Sequence, residues 1–287
     1  MLGAIIGDIV GSTREWHNIK TEEFEMVPRG SRFTDDTVMT LAVAEWLMTD
    51  TEHRPETLVA CMQQLGRKYP NAGYGKMFTR WLTTDNPQPY NSFGNGSAMR
   101  VSPVGLYANT LEEAMELARI TASVSHNHSE GIRGAQAIAG CVFLKKNNRT
   151  EAEDAIRNFV TEKIGYNLNF NLNDIRDKYT FDVTCQGSVP IAIKAYIERS
   201  GYSAQKALQL AISMGGDSDT IGAMTASIAS AEAFYIVGSD FDREVVSLCR
   251  DLLPADLLDI NDRFEAFISR PLHQSYYLGS KLFAGEY

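Results

Sequence analysis

The sequence predicts an all-α protein built as one compact, orthogonal multi-helix domain. About ten segments space their apolar residues as helices do, and no segment alternates convincingly with the period of a strand. No fixed repeat period separates the segments, which argues against a solenoid. The 287 residues are 44% hydrophobic and contain no Pro- or Ser-rich linker. We therefore expect a single domain over residues 1–287 and not two smaller ones.

Charge and cysteine content limit the classes of function. The formal net charge is −9, which argues against binding nucleic acid through the overall field. The four cysteines are far apart and form no CxxC pair, as expected of buried free thiols in a reducing compartment. The apolar N-terminus lacks a basic region and is interrupted by Asp8, so we predict neither a signal peptide nor a membrane span. We expect a cytoplasmic monomer without membrane contact.

The first helix is predicted over residues 3–11, where glycine recurs at every fourth position. Such a stripe lets another backbone pack closely. It does not match the GxGxxG dinucleotide pattern, and no predicted strand precedes it. The chain then becomes polar up to about Gly30, a stretch that we expect to be mobile. On the residues alone, Glu15 in this stretch is an exposed surface residue.

The remaining helices are predicted from apolar spacing and from their caps. Thr110-Leu111-Glu112-Glu113 and Thr150-Glu151-Ala152-Glu153 are capping boxes. Pro55 and the segment Ser188-Val189-Pro190 suit the first turn of a helix, where the missing N–H of proline costs nothing. Residues 165–178 show little periodicity and are predicted to form a surface loop. The expected helices are 35–48, 55–69, 110–124, 131–144, 150–164, 188–199, 203–214, 221–231, 241–252 and 255–268.

Two acidic clusters stand at opposite ends of the chain, Thr34-Asp35-Asp36-Thr37 and Gly215-Gly216-Asp217-Ser218-Asp219-Thr220. Taken singly, the first is favoured as a helix N-cap with acids in the first turn. The second offers three side-chain acceptors where one cap needs only one. Four acids together would raise one another's pKa unless a divalent cation neutralised them. The two clusters therefore predict one shared Mg²⁺ site, mononuclear or binuclear, with Mn²⁺ as the alternative hard cation.

The helix that follows Thr220 carries small residues at four-residue spacing, namely Gly222, Ala226 and Ser230. A helix with such a face can be fully buried with its backbone close to its neighbours. Burial would hold the second acidic cluster rigidly at the centre of the protein, where a catalytic site is best supported.

Two glycine-rich loops, Asn71-Ala72-Gly73-Tyr74-Gly75 and Ser92-Phe93-Gly94-Asn95-Gly96-Ser97-Ala98-Met99-Arg100, each place an aromatic residue between small ones. Such loops could cradle a pyrophosphate and stack a base, although each alone is favoured as a turn. Ser125-His126-Asn127-His128 has two histidines but no third soft ligand nearby, so a substrate contact or a structural histidine is preferred to zinc.

Read together, these motifs resemble the ADP-ribosylglycohydrolase family, which includes the dinitrogenase reductase activating glycohydrolase and the ADP-ribosyl-serine hydrolase of animals. The resemblance covers the chain to about residue 235, and the paired Asp motifs are its most specific part. The matching motifs, in the family's order, are Gly7-Asp8, Gly11-Ser12-Thr13-Arg14-Glu15, Phe33-Thr34-Asp35-Asp36-Thr37, Gly73-Tyr74-Gly75, Gly94-Asn95-Gly96-Ser97-Ala98-Met99-Arg100, Ser125-His126 and Gly215-Gly216-Asp217-Ser218-Asp219-Thr220.

The resemblance implies an all-α fold with two Mg²⁺ ions and hydrolysis of the bond between ADP-ribose and a modified acceptor. It implies that Glu15 is catalytic, on a mobile loop, which overturns its assignment as a plain surface residue. Asp36 and Asp219 are the other implied catalytic residues. The implied metal ligands are Thr34, Asp35, Asp36, Asp217, Asp219 and Thr220. The implied substrate-binding residues are Gly73, Tyr74, Gly75, Ser92, Phe93, Asn95, Gly96, Ser97, Met99 and His126.

One departure from the family pattern bears on the substrate. The dinitrogenase-reductase branch has an aspartate just before the position of Gly73, and this chain has Asn71-Ala72 there. The departure disfavours arginine-linked substrates and favours the glutamate-dependent branch. The expected partner is an ADP-ribosylated protein or a small ADP-ribosyl compound, and nucleic acid only as an ADP-ribosylated substrate. The alternatives are a metal-dependent phosphoesterase, because Asp-rich Mg²⁺ sites also serve phosphoryl transfer, and a non-catalytic ADP-ribose binder.

Overall fold

Fourteen α-helices build the part of the chain that this computed structural model describes, residues 1–148, 151–231 and 241–269. No β-strand occurs in these ranges, and one isolated bridge joins Gly94 to Thr184. The all-α prediction is therefore confirmed. The helices are α1 (Leu2–Gly11), α2 (Asp35–Thr49), α3 (Pro55–Lys68), α4 (Lys76–Thr83), α5 (Ser102–Tyr107), α6 (Leu111–Ser123), α7 (Ser129–Asn147), α8 (Ala152–Asn158), α9 (Leu172–Ile175), α10 (Cys185–Glu198), α11 (Ala204–Ser213), α12 (Ser218–Ala229), α13 (Arg243–Asp251) and α14 (Ala255–Ile268).

The differences from the predicted helices have local causes. Helix α10 begins at Cys185 because the Thr184 side chain caps it at the N–H of Gly187, so Pro190 lies inside the helix and does not open it. Thr150 of the second capping box lies outside the described residues. Helices α4, α5 and α9 were not predicted; they have eight, six and four residues, too few for a periodic pattern to be distinctive. One of them, α9, falls within the predicted surface loop.

Helices α1 and α12 pack side by side in antiparallel directions, and every residue of both is buried. A Cβ on Gly7 would lie 2.2 Å from the carbonyl oxygen of Gly222, and a Cβ on Gly11 would lie 2.4 Å from the Cα of Asp219. The two backbones are therefore in direct contact along the glycine stripe. This confirms the close packing that the four-residue spacing predicts, and it places the N-terminus of α12 beside the C-terminus of α1.

Helix α1 also determines where α2 begins. The buried carboxylate of Asp8 accepts hydrogen bonds from the backbone N–H of Thr34, at 2.8 Å, and of Thr37, at 3.1 Å. It also accepts the hydroxyls of both threonines. Thr34 in turn caps α2, with its side chain accepting from the N–H of Asp36. Asp8 thus ties the first turn of α2 to α1, and through α1 to α12.

The segment between α1 and α2 lacks regular structure but is anchored by its own side chains. The guanidinium of Arg14 is buried and donates to the carbonyl of Val10 at 2.6 Å. It also donates to the carbonyl of Glu25 and lies 4.4 Å from the ring centroid of Phe24. All four cysteines are free thiols, three of them buried. Among the described residues, none of the helices has both the length and the apolar character needed to cross a bilayer.

Candidate active site

A cavity of about 520 Å³ opens where the N-termini of α2 and α12 meet. Its volume falls within the range of small-molecule sites, about 300–1,000 Å³. Its walls come from the segment that follows α1, from the first turns of α2 and α12, and from the two glycine-rich loops. Phe181 and Val183, which were not predicted to take part, add one wall.

The two acidic clusters meet in this cavity. The hydroxyl of Thr220 donates to Oδ2 of Asp36 at 3.0 Å. Asp217 opens α12 without a capping side-chain bond, and its Oδ2 accepts instead from the amide of Asn95 at 2.6 Å. The expected convergence of the clusters is therefore present. All six predicted metal ligands line the cavity, namely Thr34, Asp35, Asp36, Asp217, Asp219 and Thr220.

Glu15 belongs to the same acidic group. It is half-buried and lines the cavity, so the residue-based assignment as an exposed surface residue is wrong. One carboxylate oxygen from each of Glu15, Asp217 and Asp219 lies within 4.8 Å of the others. The prediction failed because the polar segment around Glu15 carries no periodic pattern that would show which side chains face inward.

Burial and mutual repulsion raise the pKa values of these carboxyls. Burial, followed by the charges of Asp8 and Asp217, raises the pKa of Asp35 to about 8. Burial raises the pKa of Asp36 and of Asp219 well above the ordinary value, with neighbouring carboxylates adding to the shift. Burial, followed by the charge of Asp217, raises the pKa of Glu15 to about 6. A group of buried like charges is costly unless a cation compensates it.

The donor set fits a hard divalent cation. Oδ1 of Asp36 is buried and has no hydrogen-bond partner, although its other oxygen is satisfied by Thr220. A buried acceptor without a donor is unusual and calls for a ligand or an ion. Carboxylate and hydroxyl oxygens are the ligands that Mg²⁺ and Mn²⁺ prefer. By contrast, both oxygens of Asp8 accept hydrogen bonds from Thr34 and Thr37. Asp8 therefore stabilises the first turn of α2 and is not itself a candidate ligand.

Seven of the ten predicted substrate-binding residues line the cavity: Gly73, Gly75, Ser92, Asn95, Gly96, Met99 and His126. Gly73 has a φ of +114°, and a Cβ there would lie 3.3 Å from Oδ1 of Asp35. The first glycine-rich loop thus passes directly over the acidic cluster. The second loop reaches the cluster through the bond from Asn95 to Asp217.

The other three predicted residues are not part of the lining. Ser97 is fully buried, and its hydroxyl donates to the carbonyl of Gly131 at 2.7 Å, so it holds the loop in shape. The ring of Tyr74 packs against Phe78, and its hydroxyl is buried without a partner. Phe93 is 45% exposed, and its ring lies against His128 outside the cavity.

His126 belongs to the cavity lining and is held as an uncharged ring. It is buried, and its Nδ1 is 2.8 Å from the hydroxyl of Ser125. Burial and the nearby charge of Arg100 lower the pKa of the ring well below its usual value. Nε2 faces the second glycine-rich loop, 3.2 Å from where a Cβ of Gly96 would stand. A neutral imidazole here can donate or accept one hydrogen bond but carries no charge.

Four aromatic residues of the cavity lining were not predicted, and two of them, Trp16 and Phe181, are exposed. The rings of Trp16 and Phe181 stack with centroids 5.1 Å apart, and they are 70% and 42% exposed. The position of Trp16 directly after Glu15 was a usable signal, whereas nothing local indicated Phe181. The other cavity residues that were not predicted are Arg32, Ala72, Lys76, Met77, Phe78, Tyr90, Gly94, Arg100 and Val183.

Comparisons with known proteins agree with this architecture. Residues 1–233 match the family model described as ADP-ribosylglycohydrolase. The human protein ADP-ribosylhydrolase ARH3 is 25% identical over 302 aligned residues, which cover 80% of this chain and 83% of that protein. An uncharacterized protein of Archaeoglobus fulgidus is 26% identical over 267 residues, covering 82% of this chain and 87% of that protein.

A solved structure named ADP-ribosylglycohydrolase-related protein complex aligns with a TM-score of 0.59 at 22% identity, over 90% of this chain and 96% of that chain. This likeness concerns the fold. The family match extends over most of the chain and includes both acidic clusters, both glycine-rich loops and Glu15. The chain therefore belongs to the ADP-ribosylglycohydrolase family and is a glycohydrolase.

Proposed function

We propose that the protein hydrolyses the glycosidic bond between ADP-ribose and a modified acceptor, and so reverses ADP-ribosylation. The observation that carries this proposal is the convergence of Glu15 with four aspartates in one cavity, with Glu15 on a separate segment. This arrangement provides a cation site and an additional carboxylate for proton transfer. We also propose that the protein acts as a monomer in the cytoplasm. Its buried free thiols support the proposed compartment, because the cytoplasm is reducing.

Thr34, Asp35, Asp36, Asp217, Asp219 and Thr220 would hold two Mg²⁺ ions, or Mn²⁺ in their place. When bound, the cations supply positive charge that neutralises the carboxylates and favours deprotonation of water. Before a cation binds, the protein must hold these mutually repelling carboxylates close together. The bonds from Thr220 to Asp36 and from Asn95 to Asp217 support that role.

Glu15 is proposed to carry the proton in this reaction. Its carboxylate would accept the proton of the attacking water and return it to the departing acceptor. A pKa of about 6, raised mainly by burial, leaves both protonation states accessible near neutral pH, as a general acid or base requires. Asp36 and Asp219 would contribute to catalysis as ligands that orient the reacting centre.

The glycine-rich loops are proposed to bind the ADP-ribose moiety. Backbone N–H groups of the two loops suit a pyrophosphate, and the neutral ring of His126 suits a hydroxyl or a base. The acceptor would then lie at the open end of the cavity, against Trp16 and Phe181. Trp16 directly follows Glu15, which is proposed to return the proton to the departing acceptor. The first loop has Asn71 and Ala72 where an acid would assist arginine-linked substrates, which supports a glutamate-dependent reaction on another linkage.

A panel assay tests this function. Defined ADP-ribosyl linkages to serine, arginine, a nucleoside and an acetyl group are incubated with Mg²⁺ or with EDTA, and intact ADP-ribose is quantified. We expect Glu15→Gln to lower kcat by about 10²–10⁴-fold, Asp219→Asn to remove the response to Mg²⁺, and Glu23→Gln, an exposed acid of the same segment, to leave turnover unchanged. Wild-type turnover in both site variants, or release of AMP in place of ADP-ribose, would refute the proposal.

A further inference from the structure

We propose that Asn18 is a positioning residue that sets the distance between Glu15 and Asp217 by joining the two segments that carry them. The inference rests on the catalytic role proposed for Glu15. Asn18 does not line the cavity, and no motif singled it out. Its side chain nevertheless contacts the backbone on both sides of the acidic group.

The amide of Asn18 bridges two segments that are 198 positions apart. Its Nδ2 donates to the carbonyl of Arg14 at 2.7 Å, to that of Glu15 at 3.0 Å and to that of Gly216 at 3.0 Å. Its Oδ1 accepts from the N–H of Gly216 at 2.8 Å. One side chain therefore holds both the peptide of the proposed proton carrier and the peptide that immediately precedes Asp217.

The turn before Asp217 is shaped around this amide. Gly215 and Gly216 both have positive φ values, +71° and +77°. A Cβ on Gly215 would lie 3.0 Å from Oδ1 of Asn18. The two glycines thus allow a conformation in which the turn presents both the N–H and the carbonyl of Gly216 to one side chain.

Two neighbours of Asn18 in the same segment, Trp16 and Lys20, contact residues 179–181 and Met214, which lie next to the turn at Gly215 and Gly216. The ring of Trp16 stacks on Phe181, and Nζ of Lys20 donates at 2.6 Å to the carbonyl of Met214 and at 2.8 Å to that of Tyr179. Residues 16, 18 and 20 therefore alternate onto one surface. Among the side chains of residues 16, 18 and 20, only that of Asn18 donates a hydrogen bond to the backbone carbonyl of Glu15.

The residue type matters because asparagine both donates and accepts at this position. Aspartate has the same shape but cannot donate to the three carbonyls and would add a negative charge beside Asp217. The side chain is exposed, so water can replace its hydrogen bonds at little cost in folding stability. Loss of Asn18 should therefore appear in the rate of the reaction more than in the stability of the fold.

The test uses Asn18→Ala and Asn18→Asp, each alone and combined with Glu15→Gln. For every variant we measure kcat and KM on the best substrate of the panel, the Kd of free ADP-ribose, and Tm. Misplacing a reacting group by about 1 Å can cost 10²-fold, so we expect kcat to fall about 10–100-fold in both variants. KM, the Kd of ADP-ribose and Tm should stay close to those of the wild type. Lys20→Ala is the matched control, since Lys20 contacts the same surface but not Glu15, and it should lose much less activity.

The combined variants decide whether Asn18 acts through Glu15. In the Glu15→Gln background we expect Asn18→Ala to cause no further loss, because the group that it positions no longer transfers a proton. The inference would be overturned if Asn18→Ala had the kcat of the wild type. It would also be overturned if Asn18→Ala lowered kcat by the same factor in the Glu15→Gln background as in the wild type. If Glu15→Gln itself turns over normally, the proposed role of Glu15 has failed, which is a separate result.

Discussion

The hydroxyl of Thr220 donates a 3.0 Å hydrogen bond to Oδ2 of Asp36 across 184 positions of the chain. The two residues stand in the first turns of α12 and α2. Both helix N-termini therefore point at one group of carboxylates, and the positive ends of the helix dipoles favour negative charge there. The bond also leaves the other oxygen of Asp36 buried without a hydrogen-bond partner, so that oxygen remains free to accept a ligand.

The contact between α1 and α12 should tolerate no additional methyl group at Gly7. We expect Gly7→Ala to destabilise the fold by about 1–3 kcal/mol, because its Cβ would meet backbone atoms that cannot move aside. Urea denaturation measures the change as a lower midpoint. Gly201→Ala is the control, since a Cβ at Gly201 meets nothing within 4 Å. Equal stability of the two variants would contradict the packing described for α1 and α12.

Asp8 should control metal affinity although it is not a predicted ligand. We expect Asp8→Asn to weaken Mg²⁺ binding by about 10–100-fold, as loss of a residue that orients metal ligands does, because an amide cannot accept all four hydrogen bonds from Thr34 and Thr37. Calorimetric titration with Mg²⁺ measures this. Asp50→Asn removes another buried carboxylate that accepts backbone N–H groups, those of Glu52 and Arg54. We expect Asp50→Asn to lower stability and to leave Mg²⁺ affinity unchanged. A similar loss of Mg²⁺ affinity in Asp50→Asn would argue against a specific role for Asp8.

The acidic group should make metal-free protein sensitive to rising pH. The folded-state pKa values of Glu15 and Asp35 are raised, to about 6 and about 8. Their contribution to stability is therefore fully present below the ordinary carboxyl pKa and is lost as pH rises through these values. In EDTA, we expect Asp35→Asn to become increasingly more stable than the wild type between pH 5 and about 8.5.

Mg²⁺ should reverse that trend, because the cation and protons compete for the same oxygens. The increase in Tm caused by saturating Mg²⁺ should grow with pH, reaching several degrees, since binding at about 100 times Kd contributes about 2.7 kcal/mol. Thermal denaturation over the same pH range provides the measurement. A Mg²⁺ effect that is constant from pH 5 to about 8.5 would show that these carboxyls do not bind the cation.

Trp16 should affect acceptor binding and not ADP-ribose binding. We expect Trp16→Ala to raise KM for ADP-ribosylated substrate about 3–10-fold, the equivalent of one lost aromatic contact, with the Kd of free ADP-ribose unchanged. Phe181→Ala should behave alike, and the double variant should lose little more, because the two rings act as one stack. Tyr202 is also 70% exposed but lies outside the cavity, so Tyr202→Ala should have no effect. Weaker binding of free ADP-ribose by Trp16→Ala would place the ring on the other side of the scissile bond.

Features that depend on short stretches of sequence could be predicted reliably. The helical periodicity, the cap at Thr34 and the four-residue glycine spacing each express an interaction within one turn or one face of a helix. The close packing of α1 on α12 follows from the spacing because only small side chains allow such contact. The short helix α4 and the true start of α10 were not predictable, because few residues or a single cap at Thr184 decide them.

The sequence by itself determined that the protein is helical, that two acidic clusters exist and that the clusters need a common counter-charge. Only the tertiary structure decided which side chains surround them. The inward position of Glu15, the support of Asp8 beneath α2, the amide of Asn18 against Gly216 and the stack of Trp16 on Phe181 all join segments that are distant in sequence. Such contacts depend on how helices pack, and no local pattern of residues encodes the partner that a side chain meets across the fold.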